Sequence, residues 1–228
     1  MSNDLHLSQL LSSRICHDLV GAAGAINAGI ELIGEDPSNI DAPLGLMAIS
    51  AEQVTRRLSF FRIAFGSAGG ADSPTGSEKI RKLSEEYLAD KKVKLSWSSL
   101  DFENNGPHLH SLCGKSLLNL ILISCDCLPR GGEVRAHVAP LDNGIGIAIE
   151  AVGVGANFPE SLKDAVKSIE FTDKLSVRNI HAYVACQLVH AGNGAIEFSE
   201  SDNSVQIGCM LAGYKLLIVF GLRQHQVE

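Results

Sequence analysis

The sequence predicts a long α-helical hairpin followed by a separate α/β domain. Two unbroken apolar stripes at helical spacing open the chain, and a Gly/Ser/Pro-rich stretch interrupts it at residues 66–77. Beyond that break, short alternating strands are interleaved with helical segments. Hydrophobic residues make up 45% and charged residues 20% of the 228 positions, which places the chain among ordinary globular proteins with ample material for a core.

In the first helix Leu11, Ile15, Leu19, Ala22, Ile26, Ile30 and Ile33 recur every three or four residues and trace one face. The turn EDPSNIDAP follows, with Pro43 suited to the first turn of a second helix. Leu44, Met47, Ala51, Val54, Leu58, Phe61 and Phe65 form the second stripe. A lone hairpin cannot cover both stripes fully, so the expected assembly is a homodimer that completes a four-helix bundle. Uncharged and flexible in composition but for Asp72, GSAGGADSPTGS marks the domain boundary. After it, residues 78–90 read as a helix, 93–98 as a strand, and 108–128 as a strongly apolar helix. Strands 133–140 and 144–152 flank the hairpin signal Asp142-Asn143-Gly144. Residues 159–169 and 176–191 read as helices, and a second hairpin crosses Asp202-Asn203. The expected organisation is a hairpin domain at 1–67, a linker at 68–77, an α/β domain at 78–221 and a polar tail at 222–228.

A formal charge of −7 argues against nucleic acid as a partner, because phosphate backbones need a basic surface. The six cysteines show no CxxC or zinc-finger spacing, so no metal and no disulfide framework is expected. Cys125 and Cys127 point about 200° apart on a helix, and HLHSLC at 108–113 is a weak ligand set. His181 and His190 sit among apolar residues and read as packing or surface. The N-terminus lacks the basic start and apolar block of a signal peptide, and the run Leu216–Phe220 is too short to span a bilayer. A cytoplasmic location without membrane contact is expected.

His17 is the residue best suited to chemistry. It lies about 200° round the helix from Ile15 and Leu19, hence away from the apolar stripe. Its own face continues through Arg14, Gly21, Gly24, Ala28 and Glu31, with Asn27 at the margin. Each glycine within a helix costs about 0.5–1 kcal/mol relative to alanine. On an exposed face that cost suits close approach by another protein; tight packing within the hairpin is the other explanation. An exposed imidazole beside Asp18 suits nucleophilic phosphoryl transfer: one ring nitrogen attacks phosphorus while the carboxylate holds the proton on the other. Arg14, one turn earlier, is placed to neutralise phosphoryl oxygens. A surface histidine on a helix is more often only that.

The stretch SRICHDLVGAAGAINAGIELI (13–33) resembles ChpT-type histidine phosphotransferases of alphaproteobacteria, relatives of the phosphoacceptor region of two-component histidine kinases. LSVRNIHAYVACQLVHAGNGAIEF (175–198) is similar to the last helix and following strand of that family, and the resemblance runs to about Ala212. It implies a histidine-kinase-ATPase-like α/β sandwich after the hairpin. It also implies a phosphorelay intermediate whose His17 takes a phosphoryl group from a receiver-domain aspartyl phosphate and gives it to a second receiver. The partners so implied are the receiver domain of a hybrid histidine kinase and those of response regulators, with magnesium supplied by the receiver. The kinases carry a Pro five residues after the phosphoacceptor where this chain has Ala22, which implies a straighter helix.

The same ancestry supplies a test of kinase activity. Ile123 stands where a magnesium-binding Asn is expected, with Asn119 one turn earlier, and Ala151 stands where an adenine-reading Asp begins the strand end, with Gly153 and Gly155 retained. EFTDKLSVRN is not a glycine-rich lid. A degenerate domain that binds no nucleotide cofactor is expected, with an active ATP-dependent kinase and a non-catalytic receiver-binding scaffold as the alternatives.

Overall fold

The structure, a computed structural model, describes residues 3–66, 76–102, 107–171 and 173–212. Most of the boundary segment and the residues from 213 onward lie outside them. So do the expected polar tail and the apolar run Leu216–Phe220.

Helix α1 spans Asn3–Glu35 without interruption and α2 spans Asp41–Ala64, with Pro43 in its first turn. A tight turn joins them, stabilised by Ser38, whose amide and hydroxyl both donate to Asp36 Oδ1. These bonds hold the Asp36 carboxyl below the usual carboxylate range. The two helices pack through small residues: Ala22 and Gly29 of α1 are buried, as are Pro43 and Ser50 of α2. Gly29 is the point of closest approach, since a β-carbon there would fall 2.4 Å from Met47 Cγ and 3.3 Å from the Pro43 carbonyl. The stripes are only partly covered within one chain. Ile30, Leu44 and Leu58 remain 55%, 49% and 47% exposed, which leaves an apolar surface along the hairpin.

The second region begins with α3 (Ser77–Leu88), β1 (Val93–Leu100) and α4 (Pro107–Asp126). It continues through β2 (Gly132–Leu141), β3 (Gly144–Val152), α5 (Glu160–Ala165), α6 (Ile180–Ala191), β4 (Ile196–Ser201) and β5 (Ser204–Ala212). The five strands are ordered β1-β2-β3-β5-β4; β1 and β2 run parallel, and the other neighbours are antiparallel. Period-two burial sorts each strand. Val134, Ala136, Val138, Ile145, Ile147, Ile149, Val205 and Ile207 face the helical layer and are buried. Arg135, His137, Glu150 and Gln206 line the other, open face. The expected two-layer α/β fold is therefore present.

Two helices differ from expectation. Residues 159–169 are helical only over Glu160–Ala165: the Lys167 and Ser168 amides bond the carbonyls three residues back, of Asp164 and Ala165, and Gln187 of α6 then holds the Ser168 and Ile169 carbonyls at 3.3 and 2.7 Å. Helix α6 begins at Ile180 rather than Ser176. The Asn179 side chain accepts from the Ser176 amide and donates to the carbonyls of Ser161 and Lys174, so a side-chain-bonded turn replaces the first helical turn.

The open end of the hairpin is seated on the α/β layer. Phe60, Phe61, Ile63 and Ala64 are buried in the same core as α4, and the Phe60 ring stacks on Tyr87 of α3 at 4.2 Å. The end of α2 and the residues just after it receive side-chain donors from α4: Asn119 Nδ2 bonds the Ala64 carbonyl at 3.0 Å and Lys115 Nζ that of Gly66 at 3.0 Å. From α1, Leu7, Leu10, Leu11 and Ile15 pack against this core, and His6 meets the ring of Phe171 at 5.2 Å.

Candidate functional site

His17 projects from α1 where the hairpin leaves the α/β layer. Its side chain is 75% exposed, and Nδ1 lies 3.1 Å from Asp18 Oδ1. A carboxylate can only accept, so this contact puts the proton on Nδ1 and leaves the lone pair on Nε2. Asp18 is held in turn. Its side chain is 16% exposed, and its second oxygen accepts from Arg14 Nε at 3.1 Å.

Arg14, which the sequence puts one turn before His17 to neutralise phosphoryl oxygens, is engaged by protein groups. Its side chain is 14% exposed, and Nη1 donates to the Val177 carbonyl at 3.4 Å, in the turn before α6. Three residues of helix carry it about 60° round from His17, toward the α/β layer rather than toward solvent. Arg14 therefore bridges Asp18 to the α/β domain.

The rest of the predicted face is open. Gly21, Gly24, Asn27, Ala28 and Glu31 are all exposed. A β-carbon on Gly21 or Gly24 would meet nothing within 4 Å, so neither glycine serves packing inside the hairpin. Asn27 Nδ2 donates to Glu31 Oε1 at 2.9 Å, one turn apart on that face.

Sequence reasoning missed Arg57 and Asp90. Arg57 of α2 donates to the main-chain carbonyl of Asp18 at 2.5 Å, and its other terminal nitrogen bonds Asp90 Oδ2 at 2.9 Å, in the link between α3 and β1. One signal was available. Neighbouring Arg56 has Glu52 as a helical partner, whereas Arg57 has no acidic residue three or four positions away. Behind Asp18 lies a polar cavity of about 110 Å³, lined by Arg14, Asp18 and Arg57 together with Tyr87, Lys91, Cys125 and Asp126. Burial, with the Asp18 charge adding to it, pushes the Tyr87 phenol far above its ordinary value. His181 is fully buried in the layer beside it, with Nε2 3.1 Å from Asp126 Oδ2, and is a packed core residue.

The positions expected to bind nucleotide form no polar pocket. Ile123 and Ala151 have no exposed surface and belong to the hydrophobic core. Asn119 is buried, and its amide nitrogen is spent on the carbonyls of Ala64 and Lys115. The loop after β3 is held by the β4–β5 turn and by itself: Asn203 Oδ1 of that turn accepts from the Gly155 amide, and Asn157 donates back to the Gly155 carbonyl. Gly155 takes a φ of +74°, and at Gly153 the Gly131 carbonyl would lie 2.4 Å from an added β-carbon, so both glycines answer to the turn itself. Cys125 is half-buried and Cys127 buried; burial pushes both thiols up to about 12.

Residues 77–204 match the family described as the histidine phosphotransferase C-terminal domain. The protein phosphotransferase ChpT of Brucella abortus (strain 2308) is 37% identical over 138 residues, covering 60% of this chain and 63% of that protein. The chain thus spans somewhat less than two thirds of that relative's length. A solved bacterial phosphotransferase superposes with a TM-score of 0.76 at 26% identity, over 90% of this chain and 96% of that one. The blue-light activated histidine kinase of Erythrobacter litoralis EL346 shares the fold alone, with a TM-score of 0.50 at 10% identity over 89% of this chain and 61% of its own.

Proposed function

The chain belongs to the histidine phosphotransferase family, and on that premise we propose that His17 is the phosphoacceptor of a phosphorelay between receiver domains. The observation that carries the proposal is the ring itself, 75% exposed with Nδ1 turned onto Asp18 and Nε2 left for attack.

A receiver bearing an aspartyl phosphate docks on the open face of α1, through Gly21, Gly24, Asn27, Ala28 and Glu31. The Nε2 lone pair attacks phosphorus in line. The N–P bond forms as the P–O bond to the aspartyl carboxylate breaks, and that carboxylate leaves with the electron pair. The ring becomes a phosphorylated imidazolium, whose Nδ1 proton stays on the Asp18 side and whose positive charge faces that carboxylate. Transfer onward is the reverse: a carboxylate of the second receiver attacks phosphorus and the P–N electron pair returns to Nε2. Arg14 orients Asp18. Magnesium comes with the receiver, and the partners are a hybrid kinase and response regulators.

ATP is not the donor in this reading. Phosphoryl transfer from ATP depends on positioning and on charge neutralisation by bound metal, and hydrocarbon occupies both positions, Ile123 and Ala151, where the ligands would stand. The exposed Ile30, Leu44 and Leu58, with an apolar groove of about 440 Å³ lined by Leu11, Ile15, Leu58, Phe61 and Phe65, support a homodimer that completes a four-helix bundle. Among the described residues no helix is long and apolar enough to cross a membrane, which fits action in the cytoplasm.

The test is label transfer from a phosphorylated receiver domain. Wild type gains an acid-labile, base-stable phosphoryl group, and His17→Ala gains none. Equal labelling of both, or none of wild type, overturns the proposal. Receiver binding that persists without transfer would identify a scaffold instead.

A further inference from the structure

Arg57 reaches the phosphoacceptor segment from α2, through the main-chain carbonyl of Asp18. Within α1 the Asp18 carbonyl already serves the helix, and a carbonyl oxygen has a second lone pair. Arg57 fills it with a charged donor at 2.5 Å, directly after His17 in the chain. The same guanidinium is anchored at 2.9 Å on Asp90, which belongs to the α/β layer. The side chains of Arg57 and Asp90 are 22% and 20% exposed, so the pair is set into the junction and is not a solvated surface contact. Together with Arg14 on the Val177 carbonyl, it ties the His17–Asp18 turn to the α/β layer from two directions.

We infer that the Arg57–Asp90 pair is a positioning device for phosphoryl transfer, fixing the His17–Asp18 turn of α1 against the α/β domain. The inference rests on His17 as phosphoacceptor. In-line transfer needs the attacking nitrogen in near-attack geometry, and a displacement of about 1 Å can cost about 100-fold in rate. Arg57 fixes backbone position, Asp18 fixes the ring, and Asp90 fixes Arg57. In a domain without nucleotide ligands, the link between α3 and β1 thereby acquires a role in the hairpin's chemistry.

The test uses single-turnover transfer from a phosphorylated receiver to the full chain, with rate measured against receiver concentration. Arg57→Ala lowers the saturating rate by about 10-fold or more, while the half-saturating concentration stays within about twofold, since the docking face is untouched. Arg57→Lys, which keeps one donor, falls between. Asp90→Ala also slows transfer, and the double variant is no slower than Arg57→Ala, because both substitutions remove one device. Nitrogen chemical shifts of the His17 ring supply a second readout: the Nδ1-protonated form dominates in wild type, and Arg57→Ala moves the ring toward the mixture of a free imidazole.

If wild type takes no label, the phosphoacceptor reading itself fails. If wild type is labelled and Arg57→Ala, Arg57→Lys and Asp90→Ala all match its saturating rate, the positioning inference alone is overturned. A loss expressed only in the half-saturating concentration also overturns it, because that identifies a docking contact. Should Arg57→Ala fail to fold, Arg57→Lys and Asp90→Ala decide by the same criteria.

Discussion

Replacing Asp18 by Asn removes the negative charge and one of the two oxygens that now accept, from His17 Nδ1 and from Arg14 Nε. With its carbonyl on His17 Nδ1 the Asn keeps the ring tautomer but turns its amide nitrogen toward Arg14 Nε and loses that bond; facing the imidazolium that forms on phosphorylation, the negative charge disappears. Opposite unit charges about 4 Å apart attract by about 4 kcal/mol at an effective dielectric near 20. Two features reduce that figure here. Arg14 sits 3.1 Å from the other carboxylate oxygen and offsets part of its charge, and the ring is 75% exposed, so solvent screens the contact. About 1.5–3 kcal/mol remains, which corresponds to a rate lower by about 10–150-fold. Asp18→Ala loses the Nδ1 acceptor as well and is slower still. Rapid-quench measurement of phosphohistidine formation at saturating phosphorylated receiver reads both. A rate for Asp18→Asn within about twofold of wild type would falsify the electrostatic role assigned to this carboxylate.

The remaining expectations separate stability from docking and from nucleotide binding. Gly21→Ala, with open space around the added methyl, stabilises the hairpin by about 0.5–1 kcal/mol in a denaturant titration yet raises the receiver concentration needed for half-maximal transfer; unchanged docking removes Gly21 from the receiver-facing surface. Gly29→Val drives its side chain into Met47 and the Pro43 carbonyl and costs about 1–3 kcal/mol, read as a lower Tm. A nucleotide analogue leaves the wild-type Tm unmoved, since Ile123 and Ala151 are sealed in the core; a saturable rise points to a working ATP site. Restoring the missing acid by Ala151→Asp buries an unpaired carboxylate and costs about 3 kcal/mol or more at neutral pH. Burial raises the folded pKa of that carboxylate, so its penalty grows as pH rises above the unfolded value and shrinks as pH falls. Unfolding curves at acid and neutral pH check the sign. Iodoacetamide at neutral pH modifies exposed Cys16 in the native protein, whereas Cys125, Cys127 and Cys209, whose thiols burial pushes up to about 12, react only on unfolding; peptide mapping by mass spectrometry distinguishes them.

Local patterns made part of this molecule legible. The strands around Asp142-Asn143 and Asp202-Asn203 declare themselves because a hairpin needs only alternation and a turn with a permissive residue, and Asn203 indeed takes a φ of +59°. His17 could be placed on an open face because a rotation of about 100° per residue fixes it against Ile15 and Leu19 without reference to the rest of the chain. Contacts made across the sequence left no comparable trace. Arg14 looks solvent-facing until the turn before α6, 163 residues away, brings the Val177 carbonyl to its guanidinium. The segment after α5 is likewise held by Gln187, 18 or 19 residues on, whose amide donates to the Ser168 and Ile169 carbonyls. Gly29 went unremarked beside Gly21 and Gly24, although it alone of the three has a neighbour that forbids a side chain.

The position of Asn119 shows what α4 does for the hairpin. A magnesium ligand must offer its oxygen to a polar cleft, whereas Asn119 is wholly buried and uses its amide nitrogen to cap the departing end of α2. Ile123, one turn further along α4, contributes hydrocarbon, and complete burial of such a side chain is worth about 1.5–3 kcal/mol. The side chains of α4 therefore join the core and grip the hairpin where a kinase would require them to face ATP. A polar group introduced at Ile123 or Ala151 must first open a core on which the seating of α1 and α2 depends.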